Sequence, residues 1–315
     1  MYKNICFDIV GYCNAKCVYC HSGVNAIDKN KNIISTEDFR RSIAWLLDKK
    51  IADKNTLFSL FVWGEPFLHP QIGSIVAVMN EFGLRFALST NASVIGSIDG
   101  DFVKNLHSLT FSISGFLDAS YSKMHGFDIE KIKSNILKIS ALIRAHVENP
   151  RLYLNFHIYR HNADELAMAK EFCEANNLQL RPTFGIINHW WKMESFFEKT
   201  LQQAELEKLN KELFMLEDRH MDRYFDESKK EGCWQYGFLV LDEQSNVLTC
   251  CQTPRDHTEY SVGSLFDFDS YESVSKKIIS QDVCKKCKAI GMAGYINTAL
   301  EYSDKKLQDE IDAAL

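Results

Sequence analysis

The sequence predicts an α/β fold in which helices cover a parallel β-sheet. Two observations predict it: β-rich runs alternate with amphipathic segments through the first half of the chain, and the turns between them are short. The hydrophobic share of 46% over 315 residues is ordinary for a soluble globular protein. Parallel neighbours in a sheet need a crossover connection, usually a helix, and these crossovers are right-handed. About six such βα repeats fit into residues 1–185, and a chain of this length can bury a sizeable core.

The predicted strands are short runs of β-branched, aromatic or aliphatic residues, most of them bounded by residues typical of turns. In chain order these runs are residues 5–10, 56–63, 84–89, 109–114, 152–159 and 178–184.

Helices are predicted between the strands. Ser35 followed by Asp38 is typical of a capping box, although Asp is weaker than Glu in that position, and a helical apolar face follows. Four isoleucines between residues 132 and 143 are spaced four, three and four residues apart, which places them on one helical face. The other predicted helices cover residues 71–82, 131–146 and 163–176.

The pattern changes after residue 185. An aromatic patch, His189-Trp190-Trp191, and a charged helical run over residues 200–222 come first. A hairpin, a helix over residues 270–280 and a polar terminal helix over residues 297–315 follow residue 233. We therefore expect a first domain at 1–185, a helical linker or insertion at 186–232, a second domain at 233–294 and a C-terminal helix at 295–315.

Composition argues against several classes of protein. The net charge of −6 disfavours nucleic acid as a partner, because nucleic-acid binding usually needs a basic face. No apolar run reaches the roughly 18 residues of a membrane-spanning helix, and the N-terminus lacks the apolar segment of a signal peptide. Most of the ten cysteines fall into two tight sets, which favours metal ligation in a reducing cytoplasm over disulfides. Cys6 and Cys173 stand apart and are expected to be small buried hydrophobic residues.

Cys13, Cys17 and Cys20 carry the most informative pattern, C-x3-C-x2-C, directly after the first predicted strand. Three thiolates at this spacing can hold three irons of a [4Fe–4S] cube and leave the fourth iron open, whereas ferredoxins close the cube with a fourth cysteine. An open position can bind substrate, as it does in a catalytic metal site. The segment resembles the cluster loop of the radical S-adenosylmethionine (SAM) enzymes. The rival interpretations are a zinc site and a chance group of buried cysteines.

The resemblance implies the fold and the rest of the SAM site. Enzymes of this family bind the amino and carboxylate groups of SAM at the open iron and release a 5′-deoxyadenosyl radical, inside a partial (β/α)6 TIM-type barrel. Residues that match the family's SAM-binding motifs lie in the cluster loop and at the ends of predicted strands. They are Tyr19 beside the adenine, Gly64, Glu65 and Pro66 near the ammonium, Ser89 and Asn91 near the methionine and ribose, and Ser112 and Ser114 for SAM or substrate.

A second set of five cysteines begins at residue 233. Cys233 stands before the predicted hairpin, Cys250 and Cys251 stand after it, and Cys284 and Cys287 form a C-x2-C pair. This arrangement resembles the twitch domain, a shortened form of the SPASM extension, which holds one auxiliary [4Fe–4S] cluster. A structural zinc ion held by four thiolates is the rival interpretation.

The resemblance to the twitch domain singles out Cys250 as a cluster ligand. Ser245 takes the turn position that precedes the ligand by five residues, although the usual glycine is absent. Cys250 then joins the other three ligands, and Cys251 is a bystander, an alternative ligand or a hydrogen-atom donor. A thiol S–H bond is weaker than most C–H bonds. Cys251 is therefore the candidate catalytic residue that returns a hydrogen atom to a substrate radical.

The expected enzyme cleaves SAM and abstracts hydrogen from a small polar substrate, such as a sugar or an aminocyclitol. Three reactions remain open: epimerisation with Cys251 as donor, oxidation of a substrate alcohol through the auxiliary cluster, and maturation of a ribosomal peptide. A first strand that starts almost at Met1 argues against an N-terminal peptide-recognition domain. The expected partners are this substrate and an electron donor such as flavodoxin or ferredoxin, with no nucleic acid or membrane, and the expected location is the cytoplasm. A non-catalytic scaffold is the remaining alternative.

Overall fold

The computed structural model describes residues 1–24, 32–216, 218–229, 233–253 and 258–300. Its strands, in chain order, are β1 Asn4–Phe7, β2 Leu57–Ser59, β3 Arg85–Thr90, β4 Leu106–Ile113, β5 Leu152–Ile158, β6 Gln179–Phe184, β7 Phe238–Leu241, β8 Asn246–Leu248 and β9 Ser261–Ser264.

The strands of the described residues join one sheet of nine in the order β6-β5-β4-β3-β2-β1-β7-β8-β9. Every pairing from β6 to β7 is parallel, and the pairings of β8 with β7 and with β9 are antiparallel. The six strands predicted in the first half are therefore confirmed as elements of one parallel sheet, with ends that differ from the expected ones by a few residues.

The helices follow the predicted alternation with the strands. Those predicted at 71–82, 131–146, 163–176 and 270–280 are each present, and Ser35 caps its helix because its hydroxyl oxygen accepts the Asp38 N–H at 3.0 Å. The α-helices are α1 His21–Val24, α2 Thr36–Asp48, α3 Ile72–Glu81, α4 Gly100–Val103, α5 Asp118–His125, α6 Ile129–Arg144, α7 Leu166–Ala175, α8 Trp190–Phe197, α9 Gln203–Glu212, α10 Asp218–Lys229, α11 Tyr271–Ile279, α12 Asp282–Ala289 and α13 Met292–Leu300.

Side chains alternate along the parallel strands between a helix-covered face and an inner face. Ile5 and Phe7 are buried, and the ring of Phe7 lies 5.2 Å from the ring of Phe39 on α2. Cys6, between them, is only partly buried and lies on the inner face, because successive residues of a strand point to opposite sides. The inner face carries mainly polar, partly exposed side chains. They include Cys6, Ser59, Ser89, Thr110, Ser112, Asn155 and His157.

The predicted hairpin is formed by β7 and β8, and β7 extends the sheet beside β1, with Val240 opposite Cys6. Ser245 in its turn adopts the left-handed conformation at φ 62°, which glycine adopts most readily. The hydroxyl of Ser245 lies 2.7 Å from that of Ser42 on α2, so the turn is attached to a helix of the first half.

The C-terminal part also contacts the chain that follows β6, the strand at the opposite edge of the parallel sheet from β7. The hydroxyl of Tyr295 on α13 accepts the backbone N–H of Ile187, which follows β6, at 3.0 Å. Trp190 packs against Tyr260 with ring centroids 5.8 Å apart. The segment after residue 233 is thus connected to both β1 and the chain that follows β6.

Two expectations differ from the structure. The helical run expected over 200–222 is interrupted by a 3-10 turn at Phe214–Leu216, because the apolar residues Leu213 to Leu216 are buried. The terminal helix begins at Met292 instead of residue 297, and residues 301–315 lie outside the described part of the chain. No helix among the described residues has both the length and the apolar character needed to cross a membrane.

Candidate functional site

Cys13, Cys17 and Cys20 lie in the loop between β1 and α1, at the C-terminal ends of the parallel strands. The loop is closed by its own backbone, since the Cys20 N–H donates to the Cys17 carbonyl at 3.1 Å. Cys20 also pairs with Asn188, beyond the end of β6, in an isolated bridge. The cysteine loop therefore connects the chain after β1 with the chain after β6.

The three thiols are close enough to influence one another's ionisation. Burial, together with the neighbouring charges of Glu65 and Cys20, raises the pKa of Cys13 to about 12. Burial, followed by Cys20 and Cys13, raises the pKa of Cys17 well above its usual range. Thiolates at such positions need a nearby positive charge, which a bound metal centre supplies. Among the described residues, no three His, Cys, Asp or Glu side chains are arranged to hold a metal ion.

Donor groups surround two of the three sulfurs. The sulfur of Cys13 accepts the Ala15 N–H at 3.4 Å and the Asn91 side-chain amide at 3.5 Å. The Cys17 sulfur lies 3.1 Å from Nδ1 of His125, at the end of α5. Such contacts orient metal-binding thiolates in known sites. The sequence analysis missed His125, because it is 108 residues from Cys17 and belongs to no spacing pattern.

Burial and packing keep the His125 ring neutral. Burial, followed by the effect of His157, lowers the pKa of His125 to about 3. The ring stacks on Tyr121 with centroids 4.5 Å apart. A neutral imidazole has one N–H, so it can serve the Cys17 sulfur either as donor or as acceptor, according to its tautomer.

Asp8, at the end of β1, holds the loop that follows β2. Its carboxylate accepts the backbone N–H groups of Val62 and Trp63, each at 3.0 Å, and of Gly64 at 3.2 Å. No role was predicted for Asp8 from the sequence. The feature that could have indicated one is an acidic residue directly after an apolar strand, because a carboxylate buried there needs several hydrogen-bond donors.

Gly64 is required by a close approach between two backbones. A Cβ atom at this position would lie 1.7 Å from the Val10 carbonyl oxygen. The Glu65 N–H donates to the carbonyl of Tyr12 at 3.0 Å, next to the first cysteine. The Gly-Glu-Pro turn therefore packs directly on the cysteine loop.

The Glu65 carboxylate is bound by the protein's own donors. It accepts the Thr90 hydroxyl and the Asn91 N–H, each at 2.8 Å, and the Phe67 N–H at 3.1 Å. Burial raises its pKa to about 7, although these hydrogen bonds act in the opposite direction. Pro66 is buried and begins a 3-10 turn that Glu65 caps. A contact from this carboxylate to a SAM ammonium stays a prediction.

The chain after β3 contacts the cysteine loop through Asn91. Its side-chain amide donates to the Asn14 side-chain carbonyl at 3.0 Å as well as to Cys13. Ala92, the next residue, has a left-handed φ of 56°, a conformation that glycine adopts most readily. Ser89 lies two residues before Asn91, on β3, and its side chain is partly exposed on the inner face.

Ser112 and Ser114 also belong to the inner face. Ser112 is paired with Asn155 in the sheet, and the Ser114 hydroxyl lies 3.3 Å from Nδ1 of His157. Burial lowers the pKa of His157 to about 4. These groups offer uncharged hydrogen-bonding atoms to a bound molecule.

Asn162 and Glu165 bridge neighbouring strand ends. The Asn162 amide donates to the Ser114 and His157 carbonyls, both at 3.1 Å. The Glu165 carboxylate accepts the Leu117 N–H at 3.0 Å and the Ser120 hydroxyl at 2.8 Å. Neither side chain caps the helix that follows it, so these residues fix the loop after β4 against the loop after β5.

Tyr19 stacks on an aromatic residue of the protein. Its ring lies 5.0 Å from Tyr159 at an interplanar angle of 19°, and Tyr159 stacks in turn on His161 at 5.5 Å. Flat surfaces of this kind suit an adenine ring. Tyr19 is only partly buried, so the structure leaves part of its ring accessible beside the cysteine loop.

Several buried polar atoms near the cysteine loop have no hydrogen-bond partner within the described residues. Buried polar atoms usually find partners in a protein, in water or in a ligand. The unpaired set contains both donors and acceptors, which suits a bound polar molecule such as SAM. It comprises the Tyr121 hydroxyl, Nε2 of His125, Nε1 of Trp63, Oδ1 of Asn188 and Nδ1 of His189.

Four of the five later cysteines line one pocket. Cys284 and Cys287 are one turn apart on α12, and Trp190 lines the pocket with them. Trp190 is two residues from the Asn188 that pairs with Cys20, so one short segment contacts both the pocket and the cysteine loop. The four cysteines are Cys233, Cys250, Cys284 and Cys287.

Cys251 is not among the residues that line this pocket. Its thiol donates to the side-chain carbonyl of Gln235 at 3.2 Å. Burial raises the pKa of Cys251 to about 12, and the Cys6 thiol on the inner face of the sheet adds to this more than Cys233 does. The two neighbouring cysteines therefore differ: Cys250 lines the pocket, whereas Cys251 does not and donates to Gln235, one of the residues that line it.

No protein-family model and no curated protein sequence matches the chain. Solved structures do match. A structure of SuiB from Streptococcus suis bound to S-adenosylmethionine has a TM-score of 0.54 and 13% identity, over 91% of this chain and 72% of that one. A structure of SuiB bound to the precursor peptide SuiA has a TM-score of 0.54 and 14% identity, over 80% of this chain. This chain spans 60% of the length of that second structure.

At this level of identity the likeness shows a shared fold. The mixed α/β architecture with a large parallel sheet is consistent with the radical-SAM-like fold that the motifs imply. Closure of the sheet into a partial barrel and a separate twitch domain stay predictions.

Proposed function

We propose that this protein is a radical SAM enzyme. The observation that carries the proposal is the loop of Cys13, Cys17 and Cys20 at the C-terminal ends of the parallel strands, with the sulfurs of Cys13 and Cys17 beside Asn91 and His125. When bound there, a [4Fe–4S] cluster with SAM supplies reductive cleavage of SAM and a 5′-deoxyadenosyl radical that abstracts hydrogen from substrate.

The residues of the chain hold and orient these groups. The three thiolates bind the cluster, and Asn91 and His125 support two of them by hydrogen bonds. Tyr19 offers its ring to the adenine, and the backbone of the Gly64–Pro66 turn offers carbonyl oxygens to the SAM ammonium. Ser112, Ser114 and His157 are uncharged groups on the inner face, and they bind a small polar substrate such as a sugar or an aminocyclitol.

The pocket of Cys233, Cys250, Cys284 and Cys287 is the proposed site of an auxiliary [4Fe–4S] cluster. Four thiols from a loop, a hairpin end and one helix also suit structural zinc. Iron and zinc analysis of the purified protein distinguishes the two metals.

Epimerisation is the reaction that we favour after hydrogen abstraction, with Cys251 as the hydrogen donor. Cys251 is not among the residues that line the four-cysteine pocket, although its thiol donates to Gln235, which does line it. In this step the S–H bond breaks homolytically and a new C–H bond forms on the substrate carbon. The sulfur radical that remains takes up one electron and one proton, and a flavodoxin or ferredoxin supplies the electron.

Two other reactions remain as alternatives. In a dehydrogenase, an auxiliary cluster held by the four pocket cysteines would accept an electron released in the oxidation of a substrate alcohol, and the product would be a carbonyl compound. In a peptide maturase, the substrate is a ribosomal peptide, for which SuiB bound to its precursor peptide offers a structural parallel. We further propose a cytoplasmic location, with neither nucleic acid nor membrane as a partner.

The first test measures 5′-deoxyadenosine formation from SAM after anaerobic reconstitution. Replacement of Cys13, Cys17 or Cys20 by Ala should abolish it. Cys173→Ala is the matched control, because Cys173 is buried on α7, outside both cysteine sets, and should retain SAM cleavage. SAM cleavage that persists in the three loop variants would refute the proposal.

A second test separates the reactions. Two cubane clusters give about eight irons per chain, and one gives about four. Cys250→Ala should lose the auxiliary iron, whereas Cys251→Ala should keep it and lose product. With substrate in heavy water, epimerisation places one deuterium on the product carbon, whereas a product lighter by two hydrogens without deuterium identifies a dehydrogenase. Loss of auxiliary iron in Cys251→Ala would make Cys251 a ligand.

A further inference from the structure

A cationic pocket lies at the N-terminal ends of strands β3, β4 and β5. It has a volume of about 340 Å³. Arg85 starts β3, Lys104 and His107 belong to the chain entering β4, and Arg151 precedes β5, so three separate strands bring these groups together. Strand β4 is eight residues long, so its N-terminal end at the pocket lies roughly 25 Å from its C-terminal end, where the cysteine loop is found.

Arg, Lys and His side chains line the pocket, and none of the described residues that line it is Asp or Glu. Arg151 donates to Nε2 of His107 at 2.9 Å, and Arg85 donates to the Asn55 carbonyl at 3.0 Å. Within the described residues, Arg85, Lys104 and Arg151 form no ion pair. Burial and then the charges of Arg151 and Arg85 lower the pKa of His107, which is the behaviour of a group in an uncompensated positive potential.

Grouping like charges without a counterion costs free energy, and a bound anion removes that cost. Guanidinium groups bind phosphate oxygens through paired N–H donors. We propose that this pocket binds a small ligand that carries a phosphate or pyrophosphate group. Its volume lies within the range of small-molecule sites, which favours such a ligand over an acidic protein surface. The proposal is independent of SAM chemistry, because the pocket lies at the N-terminal ends of the strands and the cysteine loop lies at their C-terminal ends.

The test is calorimetric titration of the cluster-containing protein with inorganic pyrophosphate, first at low ionic strength and then at 150 mM salt, a condition near physiological screening. The visible absorbance of the clusters is recorded before and after, to detect removal of iron. We expect saturable binding of one pyrophosphate per chain. Arg151→Gln and Arg85→Gln should each weaken it about tenfold or more, since each removes charged hydrogen bonds.

Arg41→Gln is the matched control, because Arg41 is exposed, pairs with Asp38 at 3.1 Å and lies over the ring of Phe266, which follows β9, several strands away from β3 to β5 in the sheet. The affinity of this variant should remain within about twofold of the wild type, and unfolding temperatures of all variants check that they fold. Absence of saturable binding, or equal weakening in Arg41→Gln, would overturn the proposal. Tighter binding of a hexaglutamate peptide than of pyrophosphate would also overturn it and point to an acidic protein partner.

Discussion

The carboxylate of Glu65 accepts the backbone N–H of Asn91 at 2.8 Å, which ties the turn after β2 to the end of β3. Asn91 in turn donates to the sulfur of Cys13. One buried acid therefore sets the position of a residue that contacts the cysteine loop. Two donors of the protein backbone and the Thr90 hydroxyl fill its hydrogen-bonding positions.

The raised pKa of Glu65 predicts a pH dependence of stability. Its pKa in the folded protein is about 7, above the ordinary 4.5, so the folded state holds the proton more tightly than the unfolded state. The stabilisation of the folded state by this proton is complete below pH 4.5. It is lost as the pH rises through 7, which lowers the free energy of unfolding by about 3 kcal/mol. Denaturant unfolding of wild type and Glu65→Gln across this range measures it. We expect the difference between the two proteins to change with pH, and parallel curves would contradict the shift.

Gly64→Ala should strongly destabilise the protein. The added Cβ would lie 1.7 Å from the Val10 carbonyl, so the turn or the cysteine loop must move, at a cost of about 3 kcal/mol or more. Gly73→Ala is the control, because Gly73 lies on α3 with open space around its Cβ position. Alanine there should stabilise the protein by about 0.5–1 kcal/mol through helix propensity. Equal effects of the two substitutions on thermal unfolding would show that the close approach is not limiting.

Tyr295→Phe should weaken the attachment of α13 to the chain after β6. It removes the partner of the buried Ile187 N–H and should cost about 1–3 kcal/mol of unfolding free energy. Tyr121→Phe is the contrasting variant, since the Tyr121 hydroxyl is buried without a partner in the described residues. Its loss should be neutral or slightly stabilising in the protein without SAM. The reverse order of stability in chemical denaturation would contradict both assignments.

Asn162→Ala should destabilise the protein by about 3 kcal/mol. Asn162 is fully buried, accepts the Tyr159 N–H at 2.7 Å and donates to two carbonyls, so its removal leaves three buried groups unpaired. Asn176→Ala loses one bond, to the Phe172 carbonyl, at a partly exposed site, and should cost less than about 1 kcal/mol. Urea midpoints of the two variants provide the comparison, and similar midpoints would argue against the bridging role.

Local features of the sequence predicted most of the fold. Strand composition, helical periodicity and caps depend on residues within a few positions of one another, and the six parallel strands, the main helices and the β7–β8 hairpin follow from them. The cysteine spacing likewise predicted that three thiols meet after β1, since Cys13, Cys17 and Cys20 are within eight residues.

Tertiary structure decided the contacts that join distant parts of the chain. Asp8 holds the loop 54 residues later, and His125 reaches Cys17 across 108 residues. The sheet position of β7 beside β1 joins segments more than 230 residues apart. It was also the fold that made Cys250 a lining residue of the pocket and gave Cys251 a hydrogen bond to Gln235, although the two cysteines are neighbours in sequence. Such pairings depend on the three-dimensional path of the backbone, which no local spacing of residues records.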